Sequence, residues 1–128
     1  MVREKVDSIR VFLSEEFPFL RHGMTLGLRE TSDINVVGAG AGGPETVKAV
    51  RDLGPDVVLA HLVSPGLLDF DATSALVRAV PDVAVVILTA NDQVEYLVRA
   101  LEAGARGYVH AQEDAETTPE AIRSVHSG

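Results

Sequence analysis

The feature that most constrains this chain is a regular alternation of short β-branched runs with stretches of helical period. Ile9-Arg-Val-Phe-Leu13 reads as a strand. From Phe17 to about Glu30, Phe17, Leu20, Met24 and Leu28 recur on one helical face. Ile34-Asn-Val-Val37 is a second strand, ending in a glycine cluster. Pro44 suits the first turn of a helix whose apolar face is Val47, Val50 and Leu53, and Gly54-Pro55 stops it. Asp56–His61 and Ala84–Leu88 are apolar almost throughout, as expected of strands covered on both faces. Between them, Ser64-Pro65-Gly66 signals a turn, and a helix from about Asp69 to Ala79 has Thr73, Leu76, Val77 and Val80 at helical spacing. Asn91 or Asp92 can cap the next helix, whose stripe Val94, Leu97, Val98 and Leu101 is expected to face the sheet, with Gly104 ending it. Gly107–His110 is a short last strand. Asp114–Thr117 then reads as irregular, with a late, short helix capped by Thr118 and opened by Pro119.

Five strands alternating with five helices imply an α/β domain: a parallel sheet, doubly wound, with helices on both faces. A chain of 128 residues makes one such domain, hiding about two-thirds of its unfolded surface. The absence of cysteine excludes disulfides, thiolate catalysis and thiolate metal sites. Nineteen acidic against 11 basic side chains, a net charge of −8, argue against this domain holding nucleic acid by itself. No apolar run approaches the ~20 residues of a membrane span. The polar lead-in Met1–Ser8 also lacks the apolar core of a signal peptide. A cytoplasmic chain with no membrane partner is expected.

In a sheet of this kind, chemistry sits beyond the carboxyl ends of the strands. The residues expected there are Glu15 and Glu16 after the first strand, His61 ending the third, Thr89 after the fourth, and His110-Ala111 at the fifth. Gly38-Ala-Gly40-Ala-Gly-Gly43 fits the dinucleotide pattern G-x-G-x-x-G, yet the next strand ends in His61 rather than the acid that would bind ribose. No cofactor is therefore expected. Glu15, Glu16 and His61 could together hold a divalent transition metal, zinc or nickel before magnesium. The simpler reading is that one glutamate hydrogen-bonds His61 while the other faces water, with no metal. His22 and His126 read as solvated surface residues, and His110 as half-buried and structural. No Ser/His/Asp set stands out as a triad, so no catalytic residue is assigned.

Several collinear segments resemble bacterial response-regulator receiver domains of the NarL/LuxR type. Ile9–Met24 is similar to the family's opening, Asp33–Gly38 to its second strand, and Pro55–Gly66 to its phosphorylation strand and loop. Val86-Ile-Leu-Thr-Ala90 resembles the switch strand, and Leu101–Val109 the last strand. The resemblance implies the flavodoxin-like (βα)5 receiver fold. It also implies a pocket of an acidic pair for Mg²⁺, an aspartate phosphoacceptor, a Ser/Thr, an aromatic switch residue and a lysine. Glu15 and Glu16 stand at the acidic pair, Thr89 and Tyr108 at the switch positions. His61 stands at the phosphoacceptor position and Ala111 at the lysine position. Acyl-phosphate formation needs the carboxylate, the cation and the lysine together. The resemblance therefore implies an atypical receiver that does not accept phosphate, unless another acid such as Asp69 takes over.

Receivers of this type usually precede a helix-turn-helix domain, so DNA is an expected partner only through a further domain beyond Gly128. A regulatory domain of a bacterial transcription regulator is the leading expectation. It would act by homodimerisation, by a small-molecule effector or by a protein partner. The alternatives are a stand-alone interaction module and, further off, a metal-sensing domain. If the stripe on the fourth helix packs inward, the dimer surface falls to its flanks, Glu95, Arg99 and Glu102.

Overall fold

The computed structural model describes residues 8–62 and 67–128, with side chains described for all of these except 67–69. The Ser64-Pro65-Gly66 turn, the carboxyl of Asp69 and the start of the polar lead-in lie outside the described residues.

Strands and helices alternate strictly: β1 (Ile9–Ser14), α1 (Pro18–Arg29), β2 (Ile34–Gly40), α2 (Pro44–Leu53), β3 (Val57–His61), α3 (Leu67–Ala79), β4 (Ala84–Thr89), α4 (Val94–Glu102), β5 (Gly107–His110) and α5 (Thr117–Ser127). All strand pairs are parallel, in the order β2-β1-β3-β4-β5. This is the doubly wound parallel sheet that the alternation implies, in the flavodoxin-like form that the resemblance implies.

Side chains along a strand point alternately to opposite faces, so each central strand feeds two cores. Val11 and Leu13 of β1, Val57 and Leu59 of β3 and Val86 of β4 pack with Leu28 of α1 and Ile122 of α5. Phe12, Val58, Val85 and Ile87 pack on the other side with Val50 of α2, Phe70 and Leu76 of α3 and Ala100 of α4. Each fully buried aliphatic side chain is worth roughly 1.5–3 kcal/mol, which is why β3 and β4 carry almost nothing polar. Gly54, left-handed at φ 60°, closes α2 by donating to the Val50 carbonyl. Arg123 of α5 grips Asp33, just before β2, through two hydrogen bonds of 2.7 and 3.0 Å. That guanidinium holds the Asp33 carboxyl below its ordinary value. The pair's small, half-exposed contribution is complete above the ordinary carboxylate range and lost as pH falls through the lowered value.

Four expectations need correction. First, β2 does not stop at the glycine cluster but runs through it to Gly40. Its register with β1 jumps between Val11↔Val36 and Phe12↔Gly38, so Val37 is a bulge that restarts the pairing. The glycines there serve packing rather than a phosphate loop. A Cβ on Gly38 would meet the Leu53 side chain at 2.8 Å and the Phe12 ring at 3.1 Å. A Cβ on Gly40 would meet Thr46 Oγ1 at 2.8 Å.

Second, the α1 stripe enters the core only through Met24 and Leu28, while Phe17 and Leu20 are exposed. Third, α5 starts at Thr117 with Glu116 before it, so Pro119 is its third residue. A missing N–H costs little there, because first-turn donors have no helical acceptor.

The fourth correction matters most for function. The α4 stripe faces solvent: Val94 is 72% exposed, Leu101 51%, Val98 48% and Leu97 36%. The inward face of α4 is Tyr96 and Ala100, continued by Ala103 just past its end. Tyr96 stacks on Phe70 with ring centroids 6.1 Å apart, and fully buried Ala100 packs into the same core. Small side chains let the helix lie close to the sheet, leaving the larger apolar ones outside.

Candidate functional site

The parallel register sets the carboxyl ends of β1, β3, β4 and β5 side by side. Ser14 lies opposite Ala60, His61 opposite Leu88, and Thr89 opposite His110. The residues expected at the strand ends therefore meet on one edge of the sheet, although they are far apart in sequence.

Glu15 follows β1 directly, and its N–H donates to the Gly40 carbonyl at 2.8 Å, which fixes the backbone. Its side chain is 1% exposed. A lone carboxylate would be costly there, and both oxygens are engaged. Oε1 accepts the Phe17 N–H at 3.1 Å, and Oε2 is in close contact with Nδ1 of His61. That contact engages Nδ1, which leaves Nε2 as the ring nitrogen not used by Glu15. Glu16, one residue on, is exposed. One glutamate thus bonds His61 while the other faces water. Glu15, Glu16 and His61 do not converge as ligands, and no metal-holding group of three such side chains occurs among the described residues.

On the other side of the sheet edge, Thr89 is fully buried and its Oγ1 accepts the Asn91 N–H at 3.2 Å. Tyr108 reaches the same residue from β5, its hydroxyl donating to the Asn91 carbonyl at 3.1 Å. Burial, with the nearby charge of Asp92, pushes the Tyr108 hydroxyl above its ordinary value. Both expected switch residues therefore hold one peptide segment, between β4 and α4. Sequence reasoning marked Asn91 only as a helix cap. Its Oδ1 does accept the Gln93 N–H at 2.9 Å, but Gln93 is the cap and Asn91 is the anchor for Thr89 and Tyr108. No residue pattern distinguishes those two roles.

Ala111 donates its backbone N–H to the Thr89 carbonyl at 2.7 Å and is exposed. It supplies position but no charge. His110 is half-buried, as expected, with Nδ1 accepting from Gln112 at 3.2 Å and a buried Nε2 that has no hydrogen-bond partner among the described residues. His22 is exposed, and so is His126, 3.9 Å from Asp56. Glu95, Arg99 and Glu102 are exposed beside the α4 stripe.

The comparisons agree with this architecture. The family model of the response regulator receiver domain matches residues 11–123. Among curated relatives, the response regulator GacA of Pseudomonas viridiflava is 36% identical over 120 residues, which is 94% of this chain and 56% of that protein. The oxygen regulatory protein NreC of Staphylococcus carnosus is 32% identical over 121 residues, 94% of this chain and 56% of that protein. The chain thus spans about half the length of these relatives. A LuxR-family two-component response regulator from Aurantimonas sp. SI85-9A1 superposes with a TM-score of 0.86 at 26% identity, covering 94% of this chain and 86% of that one. The receiver domain of a NarL response regulator from Mycobacterium tuberculosis, at 24% identity and TM-score 0.83, shares the fold over 95% of this chain and 98% of that one. Sheet order and the family match over residues 11–123 lead to one conclusion: this chain belongs to the response regulator receiver domains.

Proposed function

We propose that this receiver is the regulatory, non-catalytic domain of a bacterial transcription regulator and works without phosphorylation. The observation that carries the reading is the Glu15–His61 pair. An imidazole ends β3 where the resemblance calls for a phosphoacceptor aspartate, and no carboxylate occurs from Val57 to Gly66. The pair also consumes Glu15, the buried acid among the described residues that would otherwise face a cation. Thr89 and Tyr108 are both tied to Asn91 rather than left to follow a phosphoryl group, which fits one arrangement held by packing. DNA would be reached through a further helix-turn-helix domain, not through this acidic one. No helix among the described residues is long and apolar enough to cross a membrane.

Mg²⁺ provides the test. It demands near-octahedral oxygen ligation, and exposed Glu16 alone leaves the shell almost entirely water. Calorimetric titration with Mg²⁺ should show no binding at millimolar concentration. Submillimolar affinity would contradict the reading.

The output we assign is homodimerisation through α4. The solvent-facing stripe supplies apolar area, and Arg99 between Glu95 and Glu102 lets a two-fold contact set unlike charges against each other. With the stripe outside, association draws on apolar burial more than on rim charges, so salt should weaken it little. Sedimentation should show a concentration-dependent dimer that Val98→Asp weakens by roughly tenfold or more, about 1.4 kcal/mol or above. A monomer at high concentration, or a Val98→Asp dimer of unchanged affinity, removes this role from α4.

A further inference from the structure

A cavity of about 820 Å³ lies between α2 and α3, over the face of the sheet that carries Val58, Ala60 and Val85. Its volume falls within the range of small-molecule sites, roughly 300–1,000 Å³. The cause is legible in α3. Ala72, Ala75 and Ala79 fall on one helical face and line the space, where larger side chains would fill it. Phe70 and Leu76 are the buried side chains by which α3 joins the core. The space opens to solvent, since Ala72 and Ala75 on α3 and Glu16 and Pro44 at its rim are exposed.

The lining decides the ligand class. The walls are mostly aliphatic, with Val47 of α2 and Leu62 beyond β3 added to the residues above. Polar groups collect at the β1 and β3 carboxyl ends, in Ser14, Glu16 and His61, with Thr46 and Thr73 deeper. Among the described residues that line the space there is no lysine or arginine, and Glu16 adds a negative charge. A phosphate, sulfonate or carboxylate would find no fixed cationic side chain there among the described residues, only the N-terminal end of α2 at Gly43 and Pro44, and would meet Glu16 in a chain that already carries −8. We infer that this cavity binds an uncharged, largely apolar small molecule whose hydroxyl or carbonyl end lies at Ser14 and His61.

The site would give the phosphorylation-independent receiver its signal, because His61 belongs both to the cavity wall and to the pair with Glu15. A ligand that bonds His61 differently in two arrangements of the strand-end edge would shift their balance. Binding itself does not depend on that regulatory reading, so the two can fail separately.

Nile red, neutral and sensitive to solvent polarity, is a suitable probe on the whole 128-residue chain. The expected result is a saturable, one-to-one blue-shifted emission, with anionic anilinonaphthalene sulfonate binding more weakly by roughly tenfold or more. Ala75→Trp, which projects a ring into the space, should weaken Nile red by a similar factor, and Ala79→Leu should do so in part. Val98→Asp on α4 should leave it unchanged, separating the cavity from the exposed stripe. Circular dichroism establishes that each variant is folded, and the Ala79→Leu arm decides should Ala75→Trp not fold. Unaltered binding in the folded cavity-filling variants, loss of binding in Val98→Asp, or a preference for the anionic dye would each overturn the inference.

Discussion

Glu15→Ala should destabilise the domain by about 2–4 kcal/mol, a large effect for one exchange at the edge of a sheet. The carboxylate is 1% exposed and serves the Phe17 N–H and the His61 ring. Removing it leaves both donors without an acceptor, and a buried unpaired donor costs more than the bond was worth. His61 keeps some access to water, with 17% of its side chain exposed, which sets the loss below that of a fully enclosed pair. Urea unfolding reads the change as a lowered midpoint at constant slope. Glu16→Ala, one residue on and solvated, should stay within about 0.5 kcal/mol of the parent. Replacing both Glu15 and His61 by leucine should recover the part of the loss that His61 causes, while the Phe17 N–H still lacks its acceptor. A Glu15→Ala midpoint equal to that of Glu16→Ala would mean that the two side chains are not paired in solution.

The order of elements was legible because the strands and helices announce themselves by period, and a sheet covered on both faces writes near-continuous apolar runs such as Val57–Ala60. What was not legible lies where sequence distance hides contact. Glu15 and His61 are 46 positions apart, and only the parallel register of β1 with β3 makes them neighbours. The residue-level reading preferred the pair to a metal but could not say which glutamate makes it. The α4 stripe misled for a different reason. Hydrophobic period says which residues share a face, not whether that face meets the sheet or a partner. Ala100 and Tyr96, which do face inward, carry a weaker apolar signal than Val94, Leu97, Val98 and Leu101. Likewise Gly38 and Gly40 read as a loop because glycine disfavours strands, yet here their bareness is what the Phe12 ring and the α2 side chains require. The cavity beside α3 left only a faint trace in the spacing of three alanines, which helix propensity explains equally well.

The second large effect concerns phosphoryl transfer, and it should be an all-or-none result. An acyl phosphate needs a carboxylate nucleophile, a divalent cation on the entering oxygens and a cationic side chain to hold the transferred group. His61 is an imidazole whose Nδ1 is committed to Glu15, so the same contact withdraws both the nucleophile and the acid. Ala111 contributes a backbone hydrogen bond and no charge. Asp69, on the first turn of α3, is the acid that could substitute, and peptide mapping would locate a phosphoryl group on it. The direct measurement is the intact mass of the chain after incubation with acetyl phosphate and Mg²⁺. We expect the mass to be unchanged. A stoichiometric gain of one phosphoryl group, on Asp69 or on any other residue, would contradict a receiver that works without phosphorylation.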